Sequence, residues 1–246
     1  MLVSSIAVAS SPDYDREQRL ADEIVDAVLD GDAEWLEVGD REFLSFYTEA
    51  DEPRGALVIL HGRGFHPDWV DTINPLRVGL IDEGWSTLSL QMPVLHKEAK
   101  YYDYVPIFPE SVGRIEAGID FLESAGFDNI VLVAHSCGAH MAMAWFREHG
   151  DQRIDGFVGL GLGATDYKQP MRKPLPIDRF AVPFLDLFGE DEFPAVIRLA
   201  PDRLAAMSKA GNTKSRQVVL KGADHYFTDH GDKLTSAVAH WLDTLK

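Results

Sequence analysis

Six apolar runs recur along this chain, and a helical pattern fills most of the gaps between them. That alternation constrains the fold more than any other feature. The runs are Ala56–Leu60, Ser86–Gln91, Ile130–His135, Gly156–Leu162, Phe184–Phe188 and Gln217–Leu220. Short runs of this kind suit strands covered on both faces. Helical spacing marks Pro75–Glu83, Val112–Ala125, Gly138–Glu148, Pro194–Ala210 and Lys233–Leu245, with Pro201 expected to break or restart the fourth. Strands alternating with helices imply right-handed crossovers and a mainly parallel sheet. Glu34–Tyr47 alternates in part around Gly39-Asp40, which predicts a hairpin and antiparallel strands at one edge. A helical stretch, Arg16–Leu29, precedes it. We therefore expect an N-terminal segment and helix, residues 1–32, packed on a single α/β domain, residues 33–246.

The 246 residues suit one large domain. Lys and Arg number 23 against 40 Asp and Glu, a formal charge of −17. Such a surface repels phosphate backbones and anionic lipid, so nucleic acid is not an expected partner. No apolar run reaches the length of a membrane-spanning helix. The single cysteine, Cys137, precludes an internal disulfide. The segment Met1–Ser10 is mostly apolar and ends in Ala7-Val8-Ala9-Ser10, which resembles a signal-peptidase site, yet no Lys or Arg precedes Arg16. It reads either as a frayed start, leaving a soluble cytoplasmic protein by default, or as the tail of an export signal.

Ligands on open parallel sheets bind beyond the carboxyl ends of the strands. Four segments there carry unusual residues: His61-Gly62-Arg63-Gly64, His135-Ser136-Cys137-Gly138, Gly189-Glu190-Asp191-Glu192, and Gly222-Ala223-Asp224-His225-Tyr226. Ser136 stands on a turn of small residues between a strand and a helix, with Ala134 where the G-x-S-x-G elbow has its first glycine. A serine hydroxyl needs a base, and neutral imidazole suits that role at pH 7. The imidazole needs a carboxylate to fix its tautomer, and the intermediate needs N–H donors. His225 is the best-placed base; His230 is its serious rival. For the acid, the usual spacing from Gly189 gives Glu192, whereas Asp191 has the commoner chemistry but requires a one-residue shift. Both stay open.

The order of loop, serine, acid and histidine, from near Glu34 to the end of the chain, resembles the α/β-hydrolase superfamily without a large cap domain. More narrowly, Leu185–Gly189, Phe193–Val196 and the Asp13–Gln18 start resemble a bacterial family of uncharacterised α/β-hydrolase-like proteins, a domain of unknown function. The resemblance implies a three-layer fold: a mostly parallel central sheet with helices on both faces. It also implies an oxyanion hole formed by the backbone N–H groups of Cys137 and Arg63.

Loops able to shape substrate choice include Phe65 and His66, the aromatic stretch His96–Phe108 with Tyr101, Tyr102 and Tyr104, and Thr165–Arg179 with Tyr167, Arg172 and Lys173. His66, Tyr101, Tyr102, Tyr104 and Tyr167 are the candidate substrate contacts. His61 and His66, five apart in a glycine-containing loop, lack the spacing and companions of a zinc site. No phosphate-binding loop is present, so neither metal nor cofactor is expected. The expected activity is hydrolysis of a carboxylic ester or related acyl bond of a small molecule through Ser136, His225 and Glu192 or Asp191. The alternative is a hydrolase-fold protein that binds or scaffolds without catalysis.

Overall fold

A computed structural model describes residues 11–166 and 169–245. The Met1–Ser10 segment, on which the export reading turns, and Tyr167 lie outside the described residues. Eight strands form one sheet in the order β1-β2-β4-β3-β5-β6-β7-β8. They are β1 (Asp32–Val38), β2 (Arg41–Thr48), β3 (Gly55–Leu60), β4 (Trp85–Leu90), β5 (Ile130–His135), β6 (Gly156–Leu160), β7 (Phe184–Asp191) and β8 (Arg216–Asp224). Only β2 runs against its neighbours. The hairpin turns at Gly39-Asp40, where Gly39 has φ +64°, a conformation glycine adopts without steric cost.

The helices are α1 (Tyr14–Ile24), α2 (Ile73–Gly79), the single turn α3 (Tyr101–Tyr104), α4 (Val112–Ser124), α5 (Cys137–His149), α6 (Pro194–Ala210) and α7 (Gly231–Leu242). Successive residues of each central strand point to opposite faces, so the core is double. On one face Val58, Leu60, Leu132 and Ala134 pack with Ile115 and Ile119 of α4 and Met141 and Trp145 of α5. On the other, Leu57, Ile59, Val131 and Val133 pack with Leu76 of α2 and Val238 of α7. This makes three layers with helices on both faces of a mostly parallel sheet.

α1 lays Ala21 on Leu44 and Phe46 of β2. Its Glu17 is buried, paired with Arg114 of α4 at 2.7 Å and accepting the Val94 N–H. Arg16 donates to the carbonyls of Gly64 and Leu95. The first described helix is thus tied to the loop that follows β3.

Two expectations fail. Pro201 neither breaks nor restarts α6, which runs through it. Pro201 lies on the exposed face with Ile197, so the Ile197 carbonyl it leaves without an N–H partner can turn to water. One residue earlier, the Val196 carbonyl accepts from Arg203 Nη1 at 2.9 Å. The stretch 96–108 is also no open loop: it holds α3 and the start of a 3₁₀ segment, Val105–Ser111, and buries Tyr104 and Phe108 in the core.

Candidate active site

The apolar run of β5 ends at His135 and the helix begins at Cys137, so Ser136 must turn the chain in one residue. It does so at φ +54°, ψ −113°. A non-glycine residue at positive φ is strained and persists only where its surroundings over-determine it. Here the Ser136 N–H bonds the Leu160 carbonyl of β6 at 2.8 Å. The turn also needs Gly138: a Cβ there would lie 2.5 Å from the His61 carbonyl oxygen. By contrast, Ala134 fits inside β5 between Leu60 and Gly159 on the neighbouring strands, so the missing first elbow glycine is accommodated.

Ser136 Oγ lies 2.7 Å from Nε2 of His225, and Nδ1 of His225 lies 2.5 Å from Oε1 of Glu192. The three side chains come from the carboxyl ends of β5, β8 and β7. Glu192 Oε1 also accepts the Phe193 N–H at 2.7 Å. His225 is 2 % and Glu192 6 % exposed, so water does not compete for the bond between them. The Phe193 ring stacks on the imidazole, centroids 4.0 Å apart. Asp191, the other candidate acid, is exposed at the end of β7 and pairs in the ladder with Asp224. His230 turns its Nδ1 to the Thr228 carbonyl at 2.8 Å, away from the serine.

Gly161 makes this packing possible. It has φ +59°, and a Cβ on it would stand 2.9 Å from His225 Cε1 and Nδ1 and 3.1 Å from Glu192 Oε2.

Three further histidines surround the serine, each held neutral by burial. His135 donates Nε2–H to the His225 carbonyl at 2.9 Å, and burial pushes its pKa down to about 3. His61 is likewise pushed down to about 3; Nδ1–H bonds the Gly62 carbonyl, so Nε2 accepts the Met92 N–H at 2.8 Å. That bond turns the Gly62 carbonyl toward the protein. His140 gives Nε2–H to the Ala164 carbonyl at 2.8 Å and is pushed down to about 4. Burial also raises the Cys137 thiol to about 12, which removes it as a competing nucleophile at neutral pH.

A cavity of about 220 Å³ opens over Ser136, lined by Arg63, Phe65, Tyr101, Cys137, Thr165, Tyr226 and others. Arg63 forms a two-pronged ion pair with Asp166, at 2.6 and 3.1 Å, and Asp166 also accepts the Tyr101 N–H. Of the candidate substrate contacts, Tyr101 lines this cavity and three others do not. Tyr104 is wholly buried, its hydroxyl accepting the Leu95 N–H. Tyr102 lies under the Arg172 guanidinium, 4.1 Å from its ring centroid. His66 packs edge-on against Trp69. Asp166, His140, Thr165, Phe193 and Tyr226 were not singled out from the sequence. Phe193 and Tyr226 are neighbours of Glu192 and His225, a usable signal. Thr165 and Asp166 open the Thr165–Arg179 stretch, which the sequence marks as a loop able to shape substrate choice without marking either residue as a contact. A larger cavity of about 430 Å³ lies between α1, the hairpin and α4. It holds the Glu17–Arg114 pair but no serine or cysteine.

The comparisons with known proteins bear on this geometry. Residues 4–104 match a family described as a protein of unknown function, DUF3530; that span contains the Asp13–Gln18 start but not Leu185–Val196. No curated protein matches the chain. Among solved structures, Est1E from Butyrivibrio proteoclasticus is similar with a TM-score of 0.66 and 16 % identity, over 87 % of this chain and 98 % of that one. A dienelactone hydrolase from Anabaena variabilis is similar with a TM-score of 0.66 and 16 % identity, over 86 % and 96 %. An esterase of Pyrococcus furiosus gives 0.66 and 13 %, over 89 % and 92 %. Together with the strand order, the three layers and the serine turn after β5, these likenesses identify the fold: the chain has the architecture of the α/β hydrolases.

Proposed function

We propose that this chain is a serine hydrolase that cleaves a carboxylic ester or related acyl bond of a small molecule. The observation that carries the reading is the hydrogen-bonded series from Ser136 Oγ through His225 to the buried Glu192. His225 Nε2 takes the serine proton as Oγ attacks the carbonyl carbon. Glu192 keeps the proton of His225 on Nδ1 and stabilises the imidazolium that forms. The negative oxygen of the tetrahedral intermediate is received by the backbone N–H groups of Cys137 and Arg63. The first opens α5, whose dipole favours negative charge; the second follows the turn set by His61. Collapse expels the leaving group, which takes its proton from His225 Nε2. Water then repeats the sequence on the acyl-enzyme. Glu192, rather than Asp191, is the acid in this scheme.

The names of the similar structures, an esterase and a dienelactone hydrolase among them, agree with acyl chemistry. A catalytically silent binding module has no need to bury a glutamate against a histidine bonded to a strained serine, so the geometry favours the enzyme. Turnover of p-nitrophenyl acetate and labelling by a fluorophosphonate test the proposal. Both are expected in the wild type and absent in Ser136→Ala. Folded wild type that shows neither refutes it.

A further inference from the structure

The cavity over Ser136 has two walls of different chemistry. Around His225 stand Phe193 and Tyr226, their ring centroids 4.0 and 5.1 Å from the imidazole, with Phe65 5.8 Å from Tyr226. His225 Nε2 must return its proton to the departing atom, so the leaving group lies along this aromatic wall. The rest of the acyl group then faces the remaining lining, where Tyr101, His140, Ala164 and Asp166 are in mutual contact and Thr165 lies between the last two in sequence.

That second wall is polar, and its polar atoms are only partly used. Thr165 is 8 % exposed, and its buried hydroxyl has no hydrogen-bond partner. His140 spends Nε2–H on the Ala164 carbonyl, so in the neutral ring Nδ1 carries a lone pair and awaits a donor. A buried hydroxyl with no partner is costly and calls for an occupant that supplies one. Charge narrows the choice. The Arg63 guanidinium is already paired with Asp166 through both prongs. At this wall an incoming carboxylate would meet a neutralised cation and the negative charge of Asp166, while Lys97, the other cation on the cavity's lining, is exposed and screened by water. A plain alkyl chain would leave the Thr165 hydroxyl as unpartnered as before. A neutral hydroxyl meets both needs, donating to His140 Nδ1 and accepting from Thr165. Size narrows it further. The whole cavity is about 220 Å³, below the roughly 300 Å³ where drug-sized sites begin.

We propose that the acyl group is a short hydroxyacyl chain whose hydroxyl is held by Thr165 and His140. This rests on the serine-hydrolase reading and specifies its substrate class. The test compares p-nitrophenyl 3-hydroxybutyrate with p-nitrophenyl butyrate, and the lactate ester with the propionate ester. In the wild type, kcat/KM is expected to favour the hydroxyacyl member by about tenfold, the worth of one net hydrogen bond. Thr165→Val should collapse that ratio to within about twofold, and Thr165→Ser should restore it. A wild-type ratio at or below one overturns the inference, whether or not the valine variant folds; so does a ratio unmoved in folded Thr165→Val. Labelling of Ser136 by a fluorophosphonate separates the two levels. Labelling without hydroxyacyl preference overturns the substrate class alone, and neither labelling nor turnover overturns both.

Discussion

The histidines around the serine make stability strongly dependent on pH, and the size of the effect follows from their burial. His61 and His135 are pushed down to about 3 and His140 to about 4, from an ordinary 6.5, chiefly by burial. Each folded pKa lies below its unfolded value. Between these values the unfolded chain binds a proton that the folded chain refuses, so stability is full above pH 6.5 and falls as the pH drops toward 3–4. Between pH 7.5 and 5.5 each group contributes a loss of about 1.4 kcal/mol, and the three together about 4 kcal/mol. The chain's −17 charge works the other way, because acidification relieves repulsion. A comparison that cancels this background is urea unfolding of the wild type and of His140→Gln at both pH values. Glutamine keeps a donor for the Ala164 carbonyl but has no proton to gain. The stability difference between the two pH values should shrink by about 1.4 kcal/mol in the variant. Equal pH dependence in the two proteins would refute the claim that His140 is buried neutral.

Glu192→Gln should lower kcat by about 10³–10⁴ with a small change in KM, whereas exposed Asp191→Asn should stay within about twofold of wild type; steady-state kinetics on a p-nitrophenyl ester decides between them. Gly161→Ala should displace the imidazole by a few tenths of an ångström and cost about tenfold or more in kcat, read as the rate of fluorophosphonate labelling in protein with native circular dichroism. Cys137, its thiol raised to about 12, should resist a disulfide reagent at pH 7.5 until the protein is unfolded, and fast reaction in the native state would contradict that burial. Gly138→Val should destabilise by about 3 kcal/mol or more, because its Cβ would meet the His61 carbonyl at 2.5 Å; a thermal midpoint within a few degrees of wild type would show that α5 can move off β3.

The parallel core was legible because β3 and β5 are buried on both faces and read as unbroken apolar runs. β8 was seen only in its middle. As an edge strand it exposes alternate residues, Val219 among them at 53 %, and its ends carry no apolar signal. Pro201 misled because proline is judged by the bond it removes, and here the orphaned carbonyl sits on the open face of α6. Ser136 and His225 stand out in the sequence because each follows the end of an apolar run. The spacing from Gly189 already pointed to Glu192, but choosing it over Asp191 needed burial. The Arg63–Asp166 pair joins residues 103 positions apart, and no periodicity encodes such a contact. The tyrosines of 101–108 look equivalent in sequence; one helical turn separates Tyr101, at the cavity, from Tyr104, in the core.

His225 follows β8, an edge strand that is synthesised after the other seven. Synthesis runs from the amino terminus, and early segments begin to fold while later ones are still being made. The serine turn and the loop after β3 depend on β3, β5 and β6, and Arg16 ties that loop to α1 long before β8 exists. A nascent chain short of β8 would therefore hold a strained but unactivated serine. In the proposed mechanism, reactivity would arrive late, when a single edge strand docks on β7 and brings the imidazole between Ser136 and Glu192.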